Sequence, residues 1–184
     1  MLLSEILLRR TTSTAAASVY CELLTTFPSV YALAQADAQA LRQILKRIGL
    51  QVQRTQALIE TSRYIVEHCD GIIPKSQEEL EKIPHVGEYT AAALRSFSFG
   101  IRDAAVDSNV MRILRRLFAR GIGKRKLSLS AYEELAMILL PREHQIHNFA
   151  MLDLGALICR YDRPRCQICP LMRVCDTGLS GATT

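Results

Sequence analysis

Four cysteines crowd into one short stretch near the C-terminal end, "CRYDRPRCQICPLMRVC", as Cys159, Cys166, Cys169 and Cys175 with spacing C-x6-C-x2-C-x5-C. Where thiols are kept reduced, that density argues for a metal centre rather than for disulfides. Four thiolates can hold Zn²⁺ or a [4Fe-4S] cluster, the central C-x2-C alone suits zinc, and spacing does not decide between them. Either way the last part of the chain is pinned around one point. The remaining cysteines, Cys21 and Cys69, fall on predicted helices and are assigned to packing.

The reduced compartment follows from what the chain lacks. No apolar run approaches the roughly 20 residues that span a bilayer, and "MLLSEILLRR" is too short and too interrupted by Glu5 to act as a signal peptide. The expectation is a soluble intracellular protein, with no membrane association and cytoplasmic near the nucleoid if prokaryotic.

Apolar residues recur at helical spacing almost throughout the 184 residues, and strand candidates are missing, so the chain reads as all-α. Helices are expected over Leu2 to Arg9, Ala15 to Phe27, Val30 to Gln35, Ala38 to Ile48, Gln51 to His68, Gln77 to Lys82, Glu88 to Phe99, Ser108 to Phe118, Leu129 to Leu140 and His147 to Ile158. Ser76 with Glu79 forms a capping-box pattern, Gly71 and Pro74 stop the preceding helix, and Asp107 stands at an N-cap position. "GIGKRK" reads as an exposed basic loop. Met1 opens directly on an apolar helix with no cap, so that helix is expected to lack a partner for its apolar face and an upstream segment to be absent.

A net charge of +5 makes a polyanionic partner plausible, and the charge is clustered. "NVMRILRRLFARGIGKRK" carries Arg112, Arg115, Arg116, Arg120, Lys124, Arg125 and Lys126 with no acidic residue among them. That pattern fits a phosphate-binding surface and a solvated helix face equally.

Three features then coincide: the hairpin "IPHVGEYTAAAL", an aspartate in "AAVDSNVMRILRRL" eighteen positions after Tyr89, and the four-cysteine run. Together they resemble the endonuclease III superfamily of helix-hairpin-helix DNA glycosylases, over essentially the whole chain and including "SEILLRRTT" and "NFAMLDLGALIC". Within it the sequence is similar to the mismatch-specific thymine/uracil branch. The resemblance implies a six-helix barrel over residues 1–103, with the hairpin motif at 76–99, and a helical [4Fe-4S] domain over 104–184 bound through Cys159, Cys166, Cys169 and Cys175. It also implies a monomer that binds double-stranded DNA holding a mispaired or damaged base, in the cleft between the two domains. The family's first helix has no counterpart here.

The same resemblance distributes roles. A hairpin that feeds a helix N-terminus is a sequence-independent phosphate site, here His85, Val86, Gly87 and Thr90, with His85 where relatives usually carry glycine. Arg10, with Arg9 beside it, is the wedge that replaces an extruded nucleotide. Asp107 stabilises the oxocarbenium-like sugar, although an aspartate at an N-cap can be purely structural. Glu5, alone on an apolar helix, reaches either solvent or a pocket that receives the base. Bifunctional relatives place a lysine at the Tyr89 position, where its amine forms a Schiff base. Tyrosine cannot, so a monofunctional glycosylase is expected, with Tyr89 near the flipped nucleotide unless it is simply a packed helical tyrosine. The nearest rival is an adenine glycosylase, whose members usually carry serine at that position. A non-catalytic DNA-binding module is the rival of another class.

Overall fold

The helices begin where short polar side chains can cap them. In a computed structural model that describes residues 1–181, the side chains of Thr12, Ser29, Asp37, Ser76, Asp107 and Ser128 each accept a hydrogen bond from a backbone N–H two or three residues ahead. Each such cap supports its helix by about 1 kcal/mol. The result is all-helical, with no β-strand among the described residues. No helix among them is long and apolar enough to cross a membrane.

The chain divides into two compact units, Met1–Leu94 and the chain from Arg95 onward. The first holds α1 (Leu2–Leu8), α2 (Ser13–Thr26), α3 (Val30–Ala34), α4 (Ala38–Leu45) with a 3₁₀ turn at Lys46–Ile48, α5 (Gln51–His68), α6 (Gln77–Glu81) and α7 (Glu88–Ala93). The long α5 is its spine and packs against α1, α3 and α4. Leu58 and Ile65 of α5 are buried with Ile6, Leu7, Leu41 and Leu45. Each buried Leu or Ile contributes about 1.5–3 kcal/mol, which outweighs the weak intrinsic helicity of the shorter segments.

The apolar face of α1, expected to lack a partner, has one: Leu2, Ile6 and Leu7 are buried and the helix packs on α2 and α5. α5 stops where the sequence places the break. The Gly71 N–H donates to the Ile65 carbonyl at 3.0 Å, and Gly71 adopts φ +76°. A side chain there would run into the ring of Tyr31, whose hydroxyl donates to the Asp70 carbonyl at 3.1 Å.

The second unit holds α8 (Ser108–Leu117), α9 (Ala119–Ile122), α10 (Leu129–Leu139), α11 (His144–Asp153) and α12 (Asp176–Leu179). A π-helical turn at Leu94–Ser98 follows α7, and another at Leu154–Ile158 follows α11. α8 is central, packing on α10, α11 and α12, and its Val110 and Leu114 meet Val106, Ile122, Tyr132 and Ala136 in one core.

Two expectations are corrected here. The "GIGKRK" segment is not all loop, because Gly121 and Ile122 close α9 and Ile122 is buried in that core. α11 starts at His144 rather than His147, since Ser96 anchors the added turn: its hydroxyl bonds His144 Nδ1 at 2.9 Å and its carbonyl accepts from Gln145 Nε2 at 2.9 Å.

Candidate functional site

The hairpin joins α6 to α7 through Pro84–Gly87. Its turn closes with the Val86 N–H donating to the Ile83 carbonyl at 3.0 Å, and Thr61 of α5 anchors it by donating to the Pro84 carbonyl at 2.8 Å. Gly87 is the N-cap of α7 and, having no side chain, puts no side-chain cap on the first helical turn. His85 adopts φ +66°, a conformation that ordinarily favours glycine. Its imidazole is held by a 2.6 Å contact from Nε2 to Glu60 Oε2, which keeps the Glu60 carboxyl below its ordinary value. The turn therefore tolerates a side chain because α5 grips it.

The side chains of Val86 and Thr90, expected among the DNA contacts, are buried. Gly87 and Glu88 are exposed, and Tyr89 is half-buried in the first turn of α7.

The turn after α1 carries exposed Arg9 and Arg10, the latter with φ 52°. The Arg9 guanidinium donates to the His85 carbonyl, tying this turn to the hairpin. Behind it lies Arg54, a buried arginine that the sequence reading passed over, which donates to the carbonyls of Leu7 at 3.1 Å, Arg9 at 2.6 Å and Ile48 at 2.7 Å, and to that of Gly49. Burial holds its pKa below the ordinary value for arginine. Glu5 is buried within α1, 9% exposed, so of its two expected destinations it does not take solvent.

In the second unit an extended segment leads to Asp107. Arg95 pairs with Asp103 at 2.6 Å, and buried Asn148 of α11 donates to the Asp103 carbonyl at 2.8 Å and accepts from the Ala105 N–H at 3.3 Å. Asp107 then caps α8. Its Oδ1 accepts from the N–H groups of Asn109 and Val110, both at 2.9 Å, and its Oδ2 from the Asn109 side-chain amide at 2.8 Å. A carboxylate offers about four acceptor directions. Three are filled, and the remaining one is on Oδ2.

The network continues into the cysteine segment. Arg112 donates to Asn109 Oδ1 at 2.8 Å, to the Gly155 carbonyl at 2.8 Å and to the Cys159 carbonyl at 2.9 Å. Arg116 donates to the carbonyls of Arg160 and Tyr161 at 2.6 and 2.8 Å, and its Nη1 lies 3.4 Å from Cys159 Sγ. These two arginines of the basic run are thus partly buried and turned onto loop carbonyls. They staple the loop, while Arg120, Lys124, Arg125 and Lys126 stay exposed. Gly155 must be small here, because a Cβ on it would stand 2.5 Å from Asn109 Cβ.

All four cysteines of the C-terminal run line one cavity, with Ile113, Leu117 and Leu154 in its wall. Burial first, and the thiols of Cys159, Cys169 and Cys175 next, push the Cys166 thiol up, while Arg116 acts the other way. Among the described residues no group of three or more His, Cys, Asp or Glu side chains is set to hold a single metal ion. Cys21, assigned to packing, is exposed on α2.

The sequence profile of the HhH-GPD superfamily of base excision DNA repair proteins matches residues 3–137. The chain belongs to that superfamily. It is 30% identical to a thymine/uracil-DNA glycosylase of Methanothermobacter thermautotrophicus, over 96% of this chain and 80% of that protein. It is 32% identical to a thymine-DNA glycosylase of Aeropyrum pernix, over 95% and 80%. An adenine DNA glycosylase of Buchnera aphidicola is 28% identical over 97% of this chain, which spans about half of that relative's length.

Among solved structures, a thermostable thymine-DNA glycosylase superposes with a TM-score of 0.91 at 29% identity, covering 97% of this chain and 83% of the other. Endonuclease III in a non-covalent DNA complex gives 0.86 at 26%, covering 100% and 85%. For this HhH-GPD chain the all-helical architecture and the family resemblance thus hold. What sequence reasoning missed are the polar supports Arg54, Asn109 and Asn148 and the stapling role of Arg112, because a charged or amide residue on a helix gives no periodic signal.

Proposed function

We propose that the protein is a monofunctional DNA glycosylase that hydrolyses the N-glycosidic bond of a thymine or uracil mispaired with guanine. The observation that carries this reading is Asp107, a carboxylate clamped on three sides with one acceptor direction left on Oδ2. Breaking the C1′–N bond sends its electron pair out with the base and leaves positive charge on the deoxyribose. A fixed carboxylate stabilises that charge and orients the water that adds to C1′.

The tyrosine at position 89 supplies no amine, so no Schiff base forms and the product is an abasic site. The hairpin turn at Gly87 meets backbone phosphate through the first N–H groups of α7, Arg9 and Arg10 meet the duplex where the nucleotide leaves it, and Glu5 receives the extruded base. The acting form is a monomer, working on double-stranded DNA in the cell interior, with residues 1–103 as the barrel and 104–184 as the cluster domain.

The donor set of the C-terminal cavity fits a [4Fe-4S] cluster. Four thiols share it, its wall is apolar apart from Arg116, Arg165 and Thr177, and no carboxylate or imidazole among the described residues lines it. A cluster spreads its thiolates over separate iron atoms, whereas a single ion draws them to one point. Cys159, Cys166, Cys169 and Cys175 would hold it. Base hydrolysis moves no electron to or from the substrate, so its contribution is to fix the loop that carries exposed Arg160, Arg163, Arg165 and Arg173.

The test is a panel of duplexes with G·T, G·U, A·G and A·oxoG pairs, each assayed with and without alkali. Cleavage of G·T and G·U strands only after alkali is the expected result. The adenine glycosylase relative gives a second reading, and activity confined to A·oxoG would select it.

A further inference from the structure

Four non-glycine residues adopt left-handed backbone, and three of them, Arg10, Leu50 and His85, stand in three separate turns of the first unit. Such conformations persist only where the surroundings hold them, and they gather at ligand clamps. Two arginines do the holding here. Arg54 Nη2 donates to the carbonyls of Leu7 and Arg9 at the end of α1, and Nη1 to those of Ile48 and Gly49 at the end of the 3₁₀ turn. Arg9 carries the link onward to the His85 carbonyl. Arg10 and Leu50 therefore each follow directly on a clamped carbonyl.

The chemistry of this clamp is unusual for a structural contact. Arg54 is 3% exposed, no carboxylate faces it, and its Nε has no hydrogen-bond partner among the described residues. A buried guanidinium without a counter-charge is a poor way to gain stability. It is a good way to fix geometry, because a planar fork meets acceptors on two sides at once, which a single ammonium cannot. The acceptors are helix-end carbonyls, which lack intrahelical partners and carry the negative end of the helix dipole.

We infer that Arg54 is a positioning residue for DNA binding: without touching the duplex, it locks the Arg9–Arg10 turn to the Gly49–Leu50 turn so that both meet the DNA as one edge. This rests on the proposal that Arg10 engages the site of nucleotide extrusion. The hairpin has its own anchors in Thr61 and Ile83 and shares with the clamp only the Arg9 guanidinium. The clamp therefore governs recognition of an opened duplex, not general affinity.

The experiment compares the full chain with Arg54→Lys and Arg54→Met. Two guanine-containing duplexes serve as probes, one with a tetrahydrofuran abasic analogue opposite the guanine and one fully paired. 2-Aminopurine beside the analogue reports local unstacking. Arg54→Lys is expected to cut the affinity ratio of abasic to paired duplex about tenfold and to lower the fluorescence rise, with paired-duplex affinity unchanged. Lowered thermal stability with the wild-type ratio retained would mean a purely structural arginine and overturn the inference. If Arg54→Met fails to fold, the lysine variant decides alone. A wild-type protein that does not prefer the abasic duplex overturns the role of Arg10 as well, whereas a wild-type preference retained in Arg54→Lys overturns only the clamp.

Discussion

Asn109 grips both oxygens of Asp107, its backbone N–H meeting Oδ1 at 2.9 Å and its side-chain amide meeting Oδ2 at 2.8 Å. Asparagine caps helices as well as aspartate does, so Asp107→Asn removes the negative charge while keeping the cap. Base excision is expected to fall by about 10²-fold or more. Stability should fall by about 1–3 kcal/mol, because the new amide nitrogen faces the Asn109 amide donor to donor, and duplex binding should survive. Single-turnover assays alongside melting curves check this, and retained excision would leave Asp107 as a cap alone.

Gly155 supports the same grip from α11's side. Adding a methyl group there forces it against Asn109, and overpacking of this kind costs about 1–3 kcal/mol. Gly155→Ala is therefore expected to lower the denaturation midpoint and to slow excision more than a remote substitution of equal thermodynamic cost. Equal rates in two such variants would show that Asn109 does not orient the carboxylate.

Tyr89→Lys supplies the missing amine. A protein carrying it is expected to form an adduct with substrate DNA that borohydride traps, and to nick some strands without alkali. No trapped adduct would place Tyr89 away from the sugar.

Much of this architecture could be read from residue order, and the reasons for the exceptions are physical. α5 runs over Gln51–His68 as its apolar spacing predicts, and the caps at Ser76 and Asp107 are made. A four-residue helix such as α9 contains barely one turn, too little for periodicity to register. Arg54 at the start of α5 looks like an ordinary surface charge, because its acceptors are backbone carbonyls, some in the turn just before α5 and some at the end of α1, that no side-chain pattern announces. Arg112 and Arg116 of α8 were ambiguous for the same reason, since the loop carbonyls they hold lie more than forty residues further along. Even the hairpin histidine became intelligible only once Glu60 was found beside it.

That pair has a measurable pH signature. Hydrogen bonding from His85 first, then from Gln56, holds the Glu60 carboxyl below its ordinary 4.5. A carboxyl with a depressed folded value stabilises the fold above its unfolded value and loses that contribution as pH falls through the lower one. Glu60→Gln should therefore melt below the wild type at neutral pH, with the gap closing once pH drops under 4.5. Parallel melting curves from neutral pH to pH 3 (about one unit below an ordinary glutamate) test it, and a gap that stays constant over that range would refute the pairing.

Cys166→Ser removes one of the four proposed ligands. The purified variant is expected to lose the visible absorption and the iron and sulfide content that a cluster confers, and to weaken in DNA binding through its loosened arginine loop. Zinc in the wild type instead of iron would reject the cluster assignment.

The two units follow one another along the chain instead of interleaving. Every residue of the first has therefore been synthesised before Arg95 is added, and that half can settle on the ribosome while the second is still being made. Cys159, Cys166, Cys169 and Cys175 are made after the α8 arginines that staple their loop, so any cluster they hold would be loaded only once that scaffold has been synthesised.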